Sequence, residues 1–404
     1  MPVVMNPSVA TKDDLALLFP NERDYVVRMK RKDRLRIGYM ITTKRFRAQE
    51  QPLRIQLLQS RLPDDAKLRI FDELGHRPCD KYTNWARQLI QLPLGVRCQV
   101  LAPDVTAAVA AAKKTMDDSV TGHEDAKREI LKLVCQSHVT GSCASNYSLG
   151  FEGPPGTGKT HFVKTALAPA LGRPMVSIPL GGANDVAYLL GHLYAYEGSR
   201  EGRLANALIE TGCSNPIIYF DEVDKISATE RGTEISSVLI HLVDPTANKA
   251  LRDRYFHGVD IDFSHCTFIF SYNDPSLVSP VLLDRIKRIK MPAPSEAEQR
   301  TIVRDHLVHR VQKRLHSTVE LSDGAVDMVL RNTAPGQGMR GAEQDVDHLL
   351  ASAQLALKCR GAIAGVDAET DVCDEGGCIS ASFAQRMLSK RDDLHEAPPV
   401  NMYL

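Results

Sequence analysis

The chain has 404 residues, with 50 Lys and Arg balancing 50 Asp and Glu for a formal net charge of zero. That length suggests two or three domains with ample material for a core. Zero net charge argues against a partner held by electrostatics over the whole surface and leaves local patches open. No apolar run reaches membrane-spanning length, so no membrane partner is expected. Asp13 and Asp14 fall early, with no compact apolar stretch followed by small residues, and no signal peptide is expected. Nine cysteines are an odd number without zinc spacing. They read as free thiols of a reducing, cytoplasmic compartment, with a regulatory Cys373–Cys378 disulfide as the alternative.

Residues 1–60 form a basic N-terminal region. Arg28, Lys30, Arg31, Lys32, Arg34 and Arg36 are followed by Lys44, Arg45 and Arg47, with Tyr25, Tyr39 and Phe46 interleaved. Stretch 28–54 reads either as a patch for nucleic acid or an acidic partner, or as a solvated face. Residues 61–103 read as a helical linker. Pro63-Asp64-Asp65 opens a helix through Leu74 that Gly75 closes, and Tyr82, Trp85, Leu89 and Leu92 recur at helical spacing. The only tryptophan is expected to anchor a core rather than stack on a ligand.

Residues 104–290 read as a doubly wound α/β domain. Pro103-Asp104 starts a helix towards Met116, and Thr121-Gly122-His123-Glu124 precedes another carrying Ile130, Leu131 and Val134. Strands are expected at Tyr147–Phe151, Met175–Ile178, Pro216–Phe220 and Cys266–Phe270. The last two are apolar throughout, as in strands buried on both faces of a parallel sheet. Strands alternating with helices give the doubly wound class.

Gly153-Pro154-Pro155-Gly156-Thr157-Gly158-Lys159-Thr160 is a phosphate-binding loop of the form G-x-x-x-x-G-K-[ST]. Its glycines let successive N–H groups turn inward on phosphate oxygens. Lys159 supplies a cation for the β- and γ-phosphates, and the Thr160 hydroxyl is placed to ligate Mg²⁺. A Gly/Pro-rich turn without chemistry is the alternative. The strand before the loop and the helix from Lys159 to Leu171 after it favour the nucleotide site.

Asp221 and Glu222 end a buried strand. Asp221 is placed to hold Mg²⁺ through its water shell, and Glu222 to act as general base on the attacking water. Asn273 ends the next buried strand, where it orients that water or simply forms a turn. Arg285, in Leu283-Asp284-Arg285, is a candidate arginine finger for a neighbouring subunit. Arg340, in Gly338-Met339-Arg340, is a candidate γ-phosphate sensor in cis. Either arginine reads equally as a surface charge from spacing alone.

From residue 291 the pattern is helical only. Ser295-Glu296-Ala297-Glu298 is a capping box, Ser322 caps the next helix, and Val346, Leu349, Leu350, Ala353 and Leu357 form one stripe ending at Gly361. A small helical domain is expected over 291–365. A flexible tail is expected over 366–404, with one short helix near Phe383–Leu388.

Between Val120 and Gly361 the sequence resembles the AAA+ ATPase module of Lon proteases. The resemblance is carried by Gly153–Thr160, Leu180-Gly181-Gly182, Gly191-His192, Phe220–Lys225, Val243-Asp244-Pro245, Leu251–Tyr255, Leu282–Arg285 and Gly338–Arg340. A weaker likeness covers Tyr82–Pro93. It implies an AAA+ sheet domain followed by a helical lid. Lys159 and Thr160 would be Walker A, Asp221 and Glu222 Walker B, Asn273 sensor 1, Arg285 the finger and Arg340 sensor 2. It also implies a nucleotide contact at Gly122 and a substrate-gripping ring at Tyr196, on a loop facing a pore.

Glu197 and Glu230 replace apolar neighbours in the two pore loops, and Thr121 stands where Lon carries an aromatic residue near adenine. Residues 362–404 are too few for the Ser-Lys peptidase domain of Lon, and adjacent Ser389-Lys390 is not a nucleophile–base pocket. The reading is therefore an ATP- and Mg-dependent polypeptide unfoldase without intrinsic peptidase activity. A homo-oligomeric ring, a hexamer, is expected, with a separate peptidase as a further partner. The alternatives are a nucleic-acid-dependent ATPase of clamp-loader or helicase type, from the basic stretch, and a regulatory ATP-binding scaffold, from the substituted pore loops.

Overall fold

The computed structural model describes residues 52–76, 79–98, 104–139, 147–196, 198–333, 338–358, 372–373 and 378–395. The basic run from Arg28 to Arg47 and the pore-loop substitution at Glu197 lie outside the described residues. The chain divides into two compact units, Met1–Ile90 and Gln91–Leu404.

The first unit carries α1 (Leu53–Gln59), α2 (Asp64–His76) and α3 (Asp80–Leu89). Asp64 and Asp65 sit in the first turn of α2, where negative charge complements the helix dipole. Trp85 is buried and stacks on Tyr82 with ring centroids 5.0 Å apart, the anchoring role expected of it. Arg54, the last residue of the basic stretch, lies 3.6 Å over the Phe71 ring, so its charge is engaged within this unit.

The second unit opens with α4 (Val105–Ser119) and α5 (Glu124–Val139). Asp104 caps α4 by accepting the Ala107 N–H at 2.7 Å. β1 (Ser148–Glu152) leads through the phosphate loop into α6 (Lys159–Phe162), a wider π turn at Val163–Leu167, and α7 (Ala168–Ala170). The single helix expected over 159–171 is thus unevenly wound. The wide turn falls just before Pro169, whose ring and missing N–H disfavour regular α geometry. Then come β2 (Met175–Pro179), α8 (Ala187–Leu190), α9 (Arg203–Thr211), β3 (Ile217–Asp221), α10 (Glu230–Val243), β4 (Leu251–Arg252), β5 (Asp260–Ile261), β6 (Thr267–Tyr272), α11 (Pro280–Arg285) and β7 (Lys287–Lys290).

Five strands form one parallel sheet in the order β2-β3-β6-β1-β7. β3 and β6 are central, and their apolar side chains are buried against helices on both faces. Edge strand β7 was not foreseen. Three of its four residues are Lys or Arg and only Ile289 is buried, a charge pattern that protects a sheet edge and hides a strand.

The helical part comprises α12 (Glu296–Thr301), a π turn at Ile302–Leu307, α13 (Val308–Leu315), α14 (Asp323–Asn332), α15 (Met339–Lys358) and α16 (Ala381–His395). The capping box at Ser295 and the Ser322 cap both form. Within the tail expected over 366–404, the short helix read near Phe383–Leu388 is present, runs from Ala381 to His395, and is docked rather than loose. Phe383, Ala384, Met387 and Leu388 on α16 join Val346, Leu349 and Leu350 of α15 in one buried cluster, together with Val372 and Ile379. Four apolar residues at helical spacing suffice to dock α16, although the polar residues between them dilute the local composition. Among the described residues, no helix is long and apolar enough to cross a membrane.

Candidate functional site

Strand order sets the site. β6 lies between β1 and β3, pairing Glu152 with Tyr272 and Phe220 with Phe270. The residues that follow these three strands therefore emerge side by side at one sheet edge. They are the phosphate loop, the Asp221–Glu222 pair and Asn273. Parallel α/β sheets bind ligands at this carboxyl edge.

The loop takes positive φ at Gly156 (79°) and Gly158 (85°), where a side chain would be strained. Lys159 Nζ turns back and donates to Gly153 O at 2.6 Å, Pro154 O at 3.0 Å and Asn273 Oδ1 at 2.8 Å. Burial holds its ammonium below the usual lysine range. Thr160 Oγ1 donates to Asp221 Oδ2 at 3.3 Å. Asp221 Oδ1 also accepts from Ser271 Oγ at 2.5 Å and from Tyr219 OH at 3.1 Å. Burial pushes the Tyr219 phenol well above its usual range, so it stays neutral beside the carboxylate.

Glu222 has φ 59°, a left-handed conformation uncommon outside glycine and often held at working sites. It pairs with Lys225. Asp224 is buried, and its Oδ2 accepts the backbone N–H groups of Asn273 at 2.8 Å and Asp274 at 3.2 Å.

The helical domain closes the other wall of a cleft of about 370 Å³. Met339 N–H donates to Gly156 O at 3.2 Å, and a Cβ on Gly338 would lie 2.7 Å from Gly156 Cα. Arg340 lines the cleft beside Lys159 and depresses its ammonium further. Thr121 Oγ1 lies 3.0 Å from His306 Nε2, and His123 Nε2 lies 3.0 Å from the phosphate-loop carbonyl Thr157 O. Arg310 joins Glu343 at 3.2 Å and approaches His161 Nε2 at 3.4 Å. Burial lowers His123, His161 and His306, and the Arg310 charge lowers His161 further.

Lys159, Thr160, Asp221, Glu222, Asn273 and Arg340 therefore share one cleft, with Pro155, Gly156, Thr157 and Gly158 along its wall. Gly153 and Pro154 take part through their carbonyls, which accept from Lys159. Gly122 lies between Thr121 and His123, which line the cleft, and stands close to the Glu298 carboxylate. Arg285 lies elsewhere, its guanidinium 2.6 Å from Asp244. Tyr196 is 64% exposed, on the loop between α8 and α9. That loop is tied at its base by buried Asp253, which accepts from Gly202 N–H at 2.8 Å, Tyr255 N–H at 2.8 Å and Phe256 N–H at 3.1 Å. Sequence reasoning assigned no role to Tyr219, nor to Ser271, Asp224, His161 or Arg310, whose partners lie far along the chain.

The donors around Thr160 are a hydroxyl and the Asp221 carboxylate, hard oxygens that suit Mg²⁺. Among the described residues, no group of three or more His, Cys, Asp or Glu is arranged to hold a metal ion by itself. The residues thus fit a hard cation shared with phosphate oxygens rather than a closed protein cage.

Residues 149–292 match the family described as "ATPase family associated with various cellular activities (AAA)". The chain is 32% identical over 241 residues to a Lon protease homolog of Acanthamoeba polyphaga mimivirus, covering 59% of this chain and 23% of that protein. It is 31% identical over 320 residues to Lon protease 4 of Sorangium cellulosum, covering 76% and 38%. It is 32% identical over 272 residues to the mitochondrial Lon protease homolog of Drosophila melanogaster, covering 67% and 25%. The chain thus spans well under half the length of these relatives. The cleft, the strand order and these likenesses converge: the chain carries an AAA+ module of the Lon type.

Proposed function

We propose that the chain hydrolyses ATP in this cleft and uses the energy to thread or remodel polypeptide. One observation carries the reading: Lys159, Thr160 with Asp221, Glu222 and Asn273 converge at the carboxyl edge of the sheet, facing Arg340. Lys159 exchanges its loop carbonyls for β- and γ-phosphate oxygens. Glu222 accepts a proton from a water, whose oxygen bonds to the γ-phosphorus as the bond to the ADP oxygen breaks. Asn273 orients that water, and Arg340 senses the transferred phosphoryl group. Thr160 and Asp221 would hold Mg²⁺, which when bound offsets phosphate charge.

The domain arrangement that goes with this reading is an ATPase core over 104–290 and a lid from 291 that includes α16. Arg285 acts on the nucleotide of the next subunit in a homo-oligomeric ring, for which six members are proposed. Tyr196, exposed on a loop tied down by Asp253, grips extended polypeptide. Peptide-bond cleavage is not assigned to these residues: Ser389 donates its hydroxyl to Gln385 O along its own helix. A separate peptidase is a compatible partner. The seven free cysteines among the described residues agree with a reducing cytoplasm. No described feature favours the nucleic-acid reading, since stretch 28–54 lies outside the described residues except for Pro52–Arg54.

Steady-state ATP turnover by the purified chain tests the proposal. Lys159→Ala should abolish it, and turnover that survives the substitution overturns the reading.

A further inference from the structure

Asp224 has no part in the chemistry above, yet its surroundings are specific. It sits in the 3₁₀ turn Val223–Lys225 just beyond Asp221 and is 8% exposed. Its Oδ2 takes two backbone N–H groups, from Asn273 and Asp274. Its Oδ1 has no hydrogen-bond partner, and the residue lines the cleft. The two bonds cross from the end of β3 to the end of β6. The Asn273 side chain in turn accepts from Lys159 at 2.8 Å. Asp224, Asn273 and Lys159 thus form one polar chain joining the exits of β3, β6 and β1.

We infer that Asp224 is the positioning residue for Asn273. The inference rests on the proposed hydrolysis and adds to it what aims the water-orienting group. When Lys159 turns towards phosphate, the Asn273 carboxamide loses its partner and would be free to drift. A carboxylate gripping two successive N–H groups holds the backbone still, and charge-assisted bonds of this kind are the strong ones. The asparagine then needs only a side-chain rotation to exchange Lys159 for the water. Misplacement of a positioning group by about 1 Å costs roughly a hundredfold in rate.

The test measures ATP turnover and binding of a fluorescent ADP analogue. The variants are Asp224→Ala and Asp224→Asn, each alone and with Asn273→Ala. Asp224→Ala should lower kcat about tenfold or more while ADP affinity stays within about threefold, because the clamp serves the reacting geometry. Asp224→Asn keeps a carbonyl oxygen for both N–H groups and should restore kcat to within about threefold of the parent. In the Asn273→Ala background, Asp224→Ala should cost less than about twofold more, since the two act as a unit. If the alanine variant does not fold, Asp224→Leu fills the space without an acceptor and should show the same split. Loss of ADP affinity in step with rate, no rescue by asparagine, or an equal loss in both backgrounds overturns the inference. If Asn273→Ala is impaired and Asp224→Ala is not, the inference alone fails. If Asn273→Ala itself hydrolyses ATP like the parent, the proposed role of Asn273 in hydrolysis fails, and this inference with it.

Discussion

Glu222 shows how a single side chain is tuned by its backbone. The strand delivers it to the cleft, and its left-handed φ of 59° turns it out of the strand line. Glu222→Gln retains size and hydrogen bonding and loses the basic oxygen. Single-turnover kinetics should show hydrolysis slowed by about a hundredfold or more with nucleotide affinity little changed. A rate equal to the parent would remove Glu222 from the chemistry. Asp253 makes a prediction in pH. Burial pushes its carboxyl up to about 6 from 3.8. A raised folded-state pKa means that its stabilising contribution is fully present below pH 3.8 and is lost as pH rises through about 6. Asp253→Asn removes that titration. Urea unfolding should therefore show the variant gaining on the parent between about pH 4 and 7, by up to roughly 3 kcal/mol. Parallel pH profiles would contradict the assignment.

The same scale shows what a sequence displays. The phosphate loop and the Asp221–Glu222 pair were legible because their chemistry is packed into consecutive residues. Ser271 was not, because it meets Asp221 only through the sheet register; Tyr219, two residues before Asp221 on the same strand, read simply as one more residue of an apolar buried strand.

At the scale of elements, the start of α15 packs directly on the phosphate loop. Gly338 has φ 58° and lies so close to Gly156 that a Cβ would sit 2.7 Å from its Cα. Gly338→Ala should pry the lid from the loop and raise KM for ATP about tenfold, with the fold retained. An unchanged KM would show that this contact is idle. α16 offers a different test. Phe383 is fully buried in the lid core. Phe383→Ala should destabilise the helical domain by about 3–5 kcal/mol in urea unfolding. A change below about 1 kcal/mol would return the segment to the tail first expected of it. That expectation came from averaging over the Gly- and Asp-rich residues before the helix, so the short helix read at Phe383–Leu388 was not expected to pack on the lid. β7 escaped for the converse reason, since a strand with one buried residue has no apolar run to read.

At the scale of the whole molecule, the role proposed for Arg285 requires a neighbouring subunit. The arginine ends α11, paired with Asp244, whose carboxyl is held low by hydrogen bonds from Thr246 and then by Arg285 itself. If Arg285 acts across a ring interface, Arg285→Ala and Lys159→Ala should each be inactive alone, and mixed rings should regain turnover where an intact site meets an intact arginine. No recovery on mixing would place Arg285 outside the neighbouring site. Tyr196→Ala should lower the amount of polypeptide unfolded per ATP consumed.

Whether phosphate-bond cleavage moves polypeptide is decided by following the fluorescence of a tagged, stably folded substrate mixed with the purified chain. With ATP the fluorescence should fall in step with hydrolysis, and with a non-hydrolysable analogue it should stay constant. Equal loss with both nucleotides, or brisk ATP turnover with the substrate left folded, would show that hydrolysis here drives no such motion.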